Sequence, residues 1–85
     1  MIIQVLYFGE LRERLSTARE ALELLRSGIT VEELIEVLAA RGDIWREMLV
    51  SSEPLRVAVN QEMATAQTTL SEGAEVALFR PVTGG

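Results

Sequence analysis

The 85-residue sequence contains no cysteine and no histidine, and all eight of its basic residues are arginine, so it has no lysine either. Without cysteine there is neither a disulfide framework nor a thiol nucleophile. The usual zinc ligands and the commonest acid–base side chain are missing as well. We therefore expect no metal site and no conventional catalysis by a side chain. The absence of lysine also leaves no side-chain amine to which a protein modifier could be attached.

The sequence lacks a hydrophobic run of the roughly 18 residues that a membrane span needs. No basic region precedes its apolar start, as a signal peptide would require. We expect a cytoplasmic protein without membrane contact. The net charge of −5, from 13 acidic and eight basic residues, also argues against nucleic acid as a partner. A basic protein partner is the better electrostatic match, although a charge of this size is also ordinary for a small domain.

The first third of the chain combines one clear strand with one ambiguous segment. Residues 2–8 are apolar except for Gln4 and rich in β-branched and aromatic types, which predicts a strand ended by Gly9, with Ile3, Val5 and Tyr7 on one face. In residues 10–26, leucine and alanine recur at spacings of three and four, which favours a helix. Residues 16–17 are a possible break in that helix, and residues 20–24 alternate in polarity as a strand does. The local pattern favours the helix, and the strand stays open.

The clearest element is a helix over residues 30–41. Thr30 and Glu33 form the capping-box pattern, in which each side chain satisfies a backbone N–H of the other residue. Gly42 is placed to end the helix. The apolar stripe of this helix consists of Val31, Leu34, Ile35, Leu38 and Ala39.

The remaining elements are shorter. Asp43 is predicted to cap a short turn in which Trp45 packs over the end of the domain. Alternation then predicts a strand over residues 56–59, a turn into a short strand around Met63, and a last strand over residues 75–80. A strand, a helix and further strands in one small chain predict a single α+β domain with a mixed sheet.

The end of the sequence is where function is most legible. Pro81 stops the last strand because it has no N–H to donate, so we divide the chain into a domain over residues 1–80 and a flexible tail over residues 81–85. Two terminal glycines have no Cβ atoms, fit a narrow channel and adopt backbone angles closed to other residues. ATP can convert a terminal carboxylate to an acyl-adenylate, and a sulfur donor can convert that to a thiocarboxylate. Such a nucleophile needs no cysteine.

The same segment resembles a known family. Residues 72–85 read EGAEVALFRPVTGG and are similar to the end of the small subunit of molybdopterin synthase, the MoaD family. There a D-G-D-E-V turn and strand lead to P-P-V-[ST]-G-G. Residues 3–8 with the following LRE, and residues 58–61, resemble that family too. In this sequence Ala74 replaces the usual Asp of the turn, and Arg80 replaces the first Pro.

The resemblance implies a β-grasp (ubiquitin-like) fold, in which a mixed sheet packs against one main helix and residues 18–25 form a second strand. It implies that Gly85 is adenylated and converted to a thiocarboxylate by an E1-like (MoeB-like) adenylating enzyme. The tail would then insert into the large (MoaE-like) subunit and donate sulfur to a pyranopterin precursor, forming the molybdopterin dithiolene. The chain would be a sulfur-donating, non-catalytic subunit that binds no cofactor, and the activating enzyme would use ATP.

The predicted partner surface lies on the last strand and the tail. Val76 and Leu78 share one parity and are expected to face the helix, whereas Ala77 and Phe79 point to the opposite face. Phe79 is then an exposed aromatic beside the tail, as interface anchors often are. The predicted partner-binding residues are Phe79, Arg80, Pro81, Val82, Thr83, Gly84 and Gly85.

Three other functions stay open. The first is a sulfur carrier for thiamine thiazole synthesis or for tRNA thiolation. The second is a ubiquitin-like protein modifier, because such tails also end in Gly-Gly. The third is a binding module whose tail has no chemistry. Thiamine carriers are usually shorter, so the full helix and the segment around Trp45 favour the molybdopterin interpretation.

Overall fold

A computed structural model describes residues 1–51 and 54–81 of the chain. These residues form β1 (Ile2–Tyr7), α1 (Gly9–Leu15), β2 (Arg19–Glu23), α2 (Val31–Ala39), α3 (Asp43–Leu49), β3 (Arg56–Val59), β4 (Glu62–Met63) and β5 (Glu75–Phe79). The predicted α+β class is confirmed. Within these two ranges, no helix is both long enough and apolar enough to span a membrane. The predicted boundary between domain and tail stays a prediction, because residues 82–85 lie outside the description.

The five strands form one mixed sheet in the order β2-β1-β5-β3-β4. The β1 strand pairs antiparallel with β2 and parallel with β5, and β3 pairs antiparallel with β5 and β4. The first and last strands therefore lie side by side at the centre, with Val5 opposite Val76 and Tyr7 opposite Leu78. Because β1 and β5 are parallel, both end at the same edge of the sheet.

One face of the sheet carries the hydrophobic core. Alternate residues of β1 (Ile3, Val5 and Tyr7) are at most 1% exposed, as strand geometry requires of residues that share a face. They belong to a single core cluster with the helix residues Leu11, Leu15, Val31, Leu34, Leu38, Met48 and Leu49 and with Val57, Val76 and Leu78. The helices thus pack on this face, and the intervening strand residues are left on the other one.

The ambiguous segment divides into a short helix and a strand. Helix α1 ends at Ser16, which adopts a left-handed conformation (φ 53°) and donates its N–H to carbonyls of the preceding turn. The β2 strand follows and pairs with β1 over five residues. The expected second strand is confirmed, and the local interpretation as one long helix is wrong beyond α1. Pairing with β1 and partial burial of Leu22 outweigh a helical propensity worth only tenths of a kcal/mol per residue.

The capping box of α2 is confirmed, but the predicted end of this helix is wrong. The Glu33 N–H donates to Thr30 Oγ1 at 3.2 Å, and the Thr30 N–H donates to Glu33 Oε1 at 3.0 Å. The latter bond holds the pKa of Glu33 below its ordinary value. The C-cap of α2 is Ala40, in a right-handed conformation. Gly42 instead precedes α3 as its N-cap, and Asp43 is the first residue of α3 rather than its cap.

A tight hairpin connects β3 and β4. Asn60 and Gln61 both lie in the left-handed region (φ 51° and 69°), as expected for the two-residue turns that match the twist of paired strands. The Asn60 Oδ1 accepts a hydrogen bond from the Glu75 N–H at 3.0 Å, which ties the turn to the start of β5. The predicted turn and the short strand around Met63 are confirmed.

A polar and aromatic cluster joins β1, β2, the connection between α2 and α3, and α3 itself. The Glu20 carboxylate accepts a hydrogen bond from the Tyr7 hydroxyl at 2.7 Å and two from the Arg41 guanidinium at 2.8 and 2.7 Å. The guanidinium lies 4.6 Å from the centre of the Trp45 ring, and the Trp45 and Tyr7 rings meet edge to face, with centroids 5.7 Å apart. The bonds from Arg41 hold the pKa of Glu20 below its ordinary value, and burial raises that of Tyr7. Trp45 therefore has a packing role.

The substitution Glu20→Gln is expected to lower the free energy of unfolding near pH 7 by about 1–2 kcal/mol, because it weakens three hydrogen bonds to a partly exposed charged group. The pKa of Glu20 is lower in the folded chain, so its stabilisation is present above the unfolded pKa of about 4.3 and is lost as the pH falls through the folded value. Urea denaturation of both proteins from about pH 7 to about pH 2 measures this difference.

The matched control is Glu36→Gln, because the Glu36 carboxylate is exposed and approaches Arg46 only to 3.9 Å. We expect this change to alter the free energy of unfolding by less than about 0.5 kcal/mol. If the difference between the wild type and Glu20→Gln stayed constant down to the lowest pH, the role assigned to the Glu20 carboxylate would be refuted.

Candidate functional site

The site lies at the edge of the sheet where β1 and β5 end. The parallel register places Tyr7 opposite Leu78, and the Phe8 N–H donates to the Leu78 carbonyl at 3.2 Å. The residues that follow the two strands, Phe8 on one and Phe79 to Pro81 on the other, are therefore neighbours. Pro81, the last described residue and the first of the predicted tail, lies at this point.

An apolar surface, which we call the outer patch, extends from this edge across the open face of the sheet. It consists of Leu6, Phe8, Ala58, Met63, Ala77 and Phe79. The register places Ala77 opposite both Leu6 and Ala58, and Ala58 opposite Met63, so the strand members share one face. Phe8 is 49% exposed and Met63 62% exposed. The other four members, Phe79 among them, are half-buried, so the predicted exposure of Phe79 is only partial. A contiguous, partly exposed apolar surface of this kind is characteristic of interaction sites.

An open cavity of about 660 Å³ lies where the outer patch meets Arg80 and Pro81. Its lining consists of Phe8, Gly9, Glu10, Ala77, Phe79, Arg80 and Pro81. Gly9 allows the turn beneath it, because it begins α1 with a left-handed φ of 55°. A Cβ atom there would meet nothing within 4 Å, so conformation rather than crowding favours glycine.

Arg80 turns away from the outer patch toward the helices. Its Nη2 lies 2.9 Å from the Met48 carbonyl, 3.4 Å from the Glu47 carbonyl and 3.2 Å from the Ser51 hydroxyl. Its Nη1 lies 3.3 Å from Glu10 Oε1, and only 13% of the Arg80 side chain is exposed. The guanidinium therefore holds the end of β5 to α1, to the last turn of α3 and to Ser51, which follows Val50.

The charges and side chains at the outer patch suit it to binding another protein. Exposed charges flank the apolar members, with Arg56 opposite Phe79 on the neighbouring strand and Glu10 at the cavity. The described parts of the chain contain no group of three His, Cys, Asp or Glu side chains that could hold a metal ion. The outer patch therefore offers a partner an apolar surface with two aromatic side chains, directly beside Pro81, where the predicted tail begins.

Three of the predicted site residues come together here. Phe79, Arg80 and Pro81 all line the cavity, and the predicted faces of β5 are observed, since Val76 and Leu78 are fully buried. The predicted residues Val82, Thr83, Gly84 and Gly85 lie outside the described residues. Their roles, and the modification of Gly85, stay predictions.

Sequence reasoning missed Phe8 and Met63. Phe8 has the same parity as Leu6 along β1, so its outward direction could have been inferred if one face of that strand had been polar. The strand is mainly apolar on both faces, with Gln4 the one polar residue on the outward side, which weakens the alternation. Met63 stands in a two-residue strand, and only its pairing with Ala58 brings it to the outer patch.

Known proteins resemble this chain in sequence over nearly its whole length. Residues 5–85 match the ThiS family. The molybdopterin synthase sulfur carrier subunit of Escherichia coli is 40% identical over 84 residues, which cover 99% of this chain and 100% of that protein. The protein of the same name from Haemophilus influenzae is 36% identical, with the same two coverages.

Solved structures establish the fold. SAMP1 from Haloferax volcanii superposes with a TM-score of 0.85 at 21% identity, and the match covers 100% of both chains. A chain in the complex of subunits 1 and 2 of molybdopterin-converting factor from Helicobacter pylori superposes with a TM-score of 0.68 at 22% identity, again over 100% of both chains. The expected β-grasp (ubiquitin-like) fold is confirmed. Because the family match spans almost every residue, and the two relatives are at least 36% identical over their full length, the chain belongs to the ThiS family.

Proposed function

We propose that this protein is the sulfur carrier subunit of a molybdopterin synthase. One observation carries the proposal: two proteins with that name match it end to end at 36–40% identity. Identity at this level over whole chains is greater than a shared fold alone requires, since SAMP1 has the same fold at only 21% identity.

The geometry of the site supports the same function. A carrier must bind a partner with its folded domain and deliver its chain end to that partner's active site. The outer patch supplies a binding surface, and Pro81, the first residue of the predicted tail, lies at the edge of that patch. Docking and delivery therefore occur at one end of the molecule.

The reactive group in this proposal is the carboxylate of Gly85. In the first step a carboxylate oxygen attacks the α-phosphorus of ATP, and pyrophosphate leaves. Hydrosulfide, the simplest donor that balances this step, then attacks the carbonyl carbon of the adenylate; the bond to the AMP oxygen breaks, AMP leaves, and a thiocarboxylate remains. Gly84 and Gly85 suit passage through narrow channels in both enzymes because neither carries a Cβ atom. This chain needs no bound cofactor, because ATP is bound by the activating enzyme.

Two protein partners follow from this chemistry. The first is a large synthase subunit (MoaE-like), in which sulfur passes to a pyranopterin precursor to form the molybdopterin dithiolene. The Helicobacter pylori chain, which has the same fold, occurs in a complex of subunits 1 and 2 of molybdopterin-converting factor. The second is an E1-like (MoeB-like) adenylating enzyme. We place all three proteins in the cytoplasm, and we propose no nucleic-acid or membrane partner.

Incubation with ATP, an activating enzyme and a sulfur source is expected to replace one oxygen of the Gly85 carboxylate by sulfur. Intact-mass spectrometry would show the gain of one sulfur for one oxygen, and fragmentation would place it on the last residue. The chain has no cysteine or lysine side chain to compete for the label. Addition of the large subunit and a pyranopterin precursor should then return the mass to its starting value.

A chain shortened by Gly85 is the control, and it should gain no sulfur. Absence of the adduct on the full chain, with an activating enzyme that sulfurates a known carrier, would refute the proposal. Sulfur transfer to a thiazole or tRNA acceptor instead of the pyranopterin, or an amide bond to another protein, would identify one of the alternative functions.

Phe79→Ala is expected to weaken binding to the large subunit by about 30-fold, equivalent to roughly 2 kcal/mol, because it removes an aromatic anchor. Phe8→Ala should weaken binding to a similar extent, since Phe8 lines the same cavity. Both residues lie outside the core cluster, so the thermal midpoint should change little. Titration calorimetry and thermal melts of the same preparations measure the two quantities.

Leu25→Ala is the matched control, because Leu25 is a fully exposed hydrophobic residue away from the outer patch. It should leave affinity unchanged. Equal affinity of the wild type and Phe79→Ala would place the interface elsewhere, and so would a loss that is accounted for by unfolding.

A further inference from the structure

Arg80 is bonded to the domain through its side chain directly before the predicted tail, which begins at Pro81. Its guanidinium contacts the Met48 carbonyl at 2.9 Å, the Ser51 hydroxyl at 3.2 Å and Glu10 Oε1 at 3.3 Å. These groups belong to three separate parts of the fold: α1, the last turn of α3, and the residue beyond Val50.

The physical basis of this anchor is the end of α3. The last carbonyls of a helix have no partner within the helix and carry its partial negative charge, so a cation is favourable there. Arginine suits the position because its planar fork presents five N–H donors and can reach several acceptors at once. At 13% exposure the side chain is well shielded from competing water.

The anchor acts on the helix side of the sheet, opposite to the outer patch. Arg80 has the parity of Val76 and Leu78, which are fully buried, whereas Phe79 has the opposite parity. The end of β5 is thus held on the helix side of the sheet by Arg80, while Phe79 faces the opposite side. The following Pro81 has a restricted φ, which limits the bond rotations through which the chain could change direction.

The position of Arg80 is also where the sequence departs from the pattern P-P-V-[ST]-G-G that its end resembles. A proline restricts the backbone through its ring, whereas here a side chain bonded to distant groups restricts it. The two residues differ in chemistry but have the same consequence for the direction of the chain.

We propose that Arg80 is a positioning residue that sets the direction in which the tail leaves the domain relative to the outer patch. The inference rests on the proposed function. The four residues after Pro81 span at most roughly 14 Å. They are too few to compensate for a change in the direction of the chain at Arg80 and Pro81. With the outer patch docked, the Gly85 carboxylate reaches the partner's active site only along a restricted direction.

Loss of the anchor should therefore slow sulfur transfer more than it weakens binding. Reactions of positioned groups are sensitive to small displacements, and a misplacement of about 1 Å can cost about a hundredfold in rate. We expect Arg80→Met, which keeps an apolar stem but loses all donors, to lower the limiting single-turnover rate about tenfold. Its affinity for the large subunit should change by less than about threefold, because the outer patch is intact.

The experiment uses full-length protein whose thiocarboxylate is made chemically from a C-terminal thioester and sulfide, so that the activating enzyme has no influence. Single-turnover transfer is measured at saturating large subunit for the wild type, Arg80→Met, Arg80→Lys and Arg80→Pro. Arg46→Met is the control, because Arg46 forms only an exposed ion pair at 3.9 Å. Arg80→Lys should be intermediate, since an ammonium lacks the fork. Arg80→Pro should recover most of the rate, and Arg46→Met should match the wild type.

Three results would overturn the proposal: an unchanged limiting rate in Arg80→Met, a loss that lies entirely in affinity, or an Arg80→Pro rate as low as that of Arg80→Met.

A second measurement does not depend on sulfur chemistry. The side-chain Nε–H of Arg80 in the free protein should show a heteronuclear NOE as high as the backbone of β5, unlike that of the exposed Arg12. A mobile Arg80 side chain would overturn the anchor itself. Failure of wild-type transfer with a rigid Arg80 would count against the proposed function instead.

Discussion

The parallel hydrogen bonds between β1 and β5 are the constraint on which the rest of this structure depends. They join the first and last strands of the described chain at the centre of the sheet. Because the strands are parallel, the chain must cross over between them, and α2 and α3 lie within that connection. The same pairing directs the ends of both strands to one edge, so Phe8 meets Phe79 there. The candidate site is therefore a direct consequence of the central pairing.

In the described part of the chain the helices cover one face of the five-stranded sheet, and a chain of 85 residues buries only part of its surface on folding. All three helices contribute to the core on one face, and the other face keeps the outer patch. Burial of that patch requires a partner, so it is left as a surface for binding. The polar contacts lie on the helix side: Glu20 with Arg41 and Tyr7 in one place, and Arg80 at the end of β5 in another. Each joins elements that are distant in sequence.

Some features of the fold and site could be predicted from the sequence because their signals are local. The capping box and the apolar stripe of α2 lie within ten residues, the Asn60–Gln61 turn is defined by its own residues, and the alternation in β5 separates Val76 from Phe79. The terminal Gly-Gly and the absence of cysteine indicated the chemistry of a carrier, and the resemblance of the last residues indicated the family that the whole-chain match confirms.

Only the tertiary structure decided the features that require two distant segments to meet. Residues 19–23 have a helix-compatible pattern and became a strand because β1 offers them hydrogen bonds and partial burial. Phe8 and Met63 joined Phe79 through strand register alone, and Arg80 found the end of α3 although 32 residues separate it from Met48. By itself, the sequence predicted the local conformation of α2 and β5, and it is the basis for the proposed chemistry of the chain end. Side-chain placement around that end was left to the tertiary structure, because it depends on which strands pair and in what register.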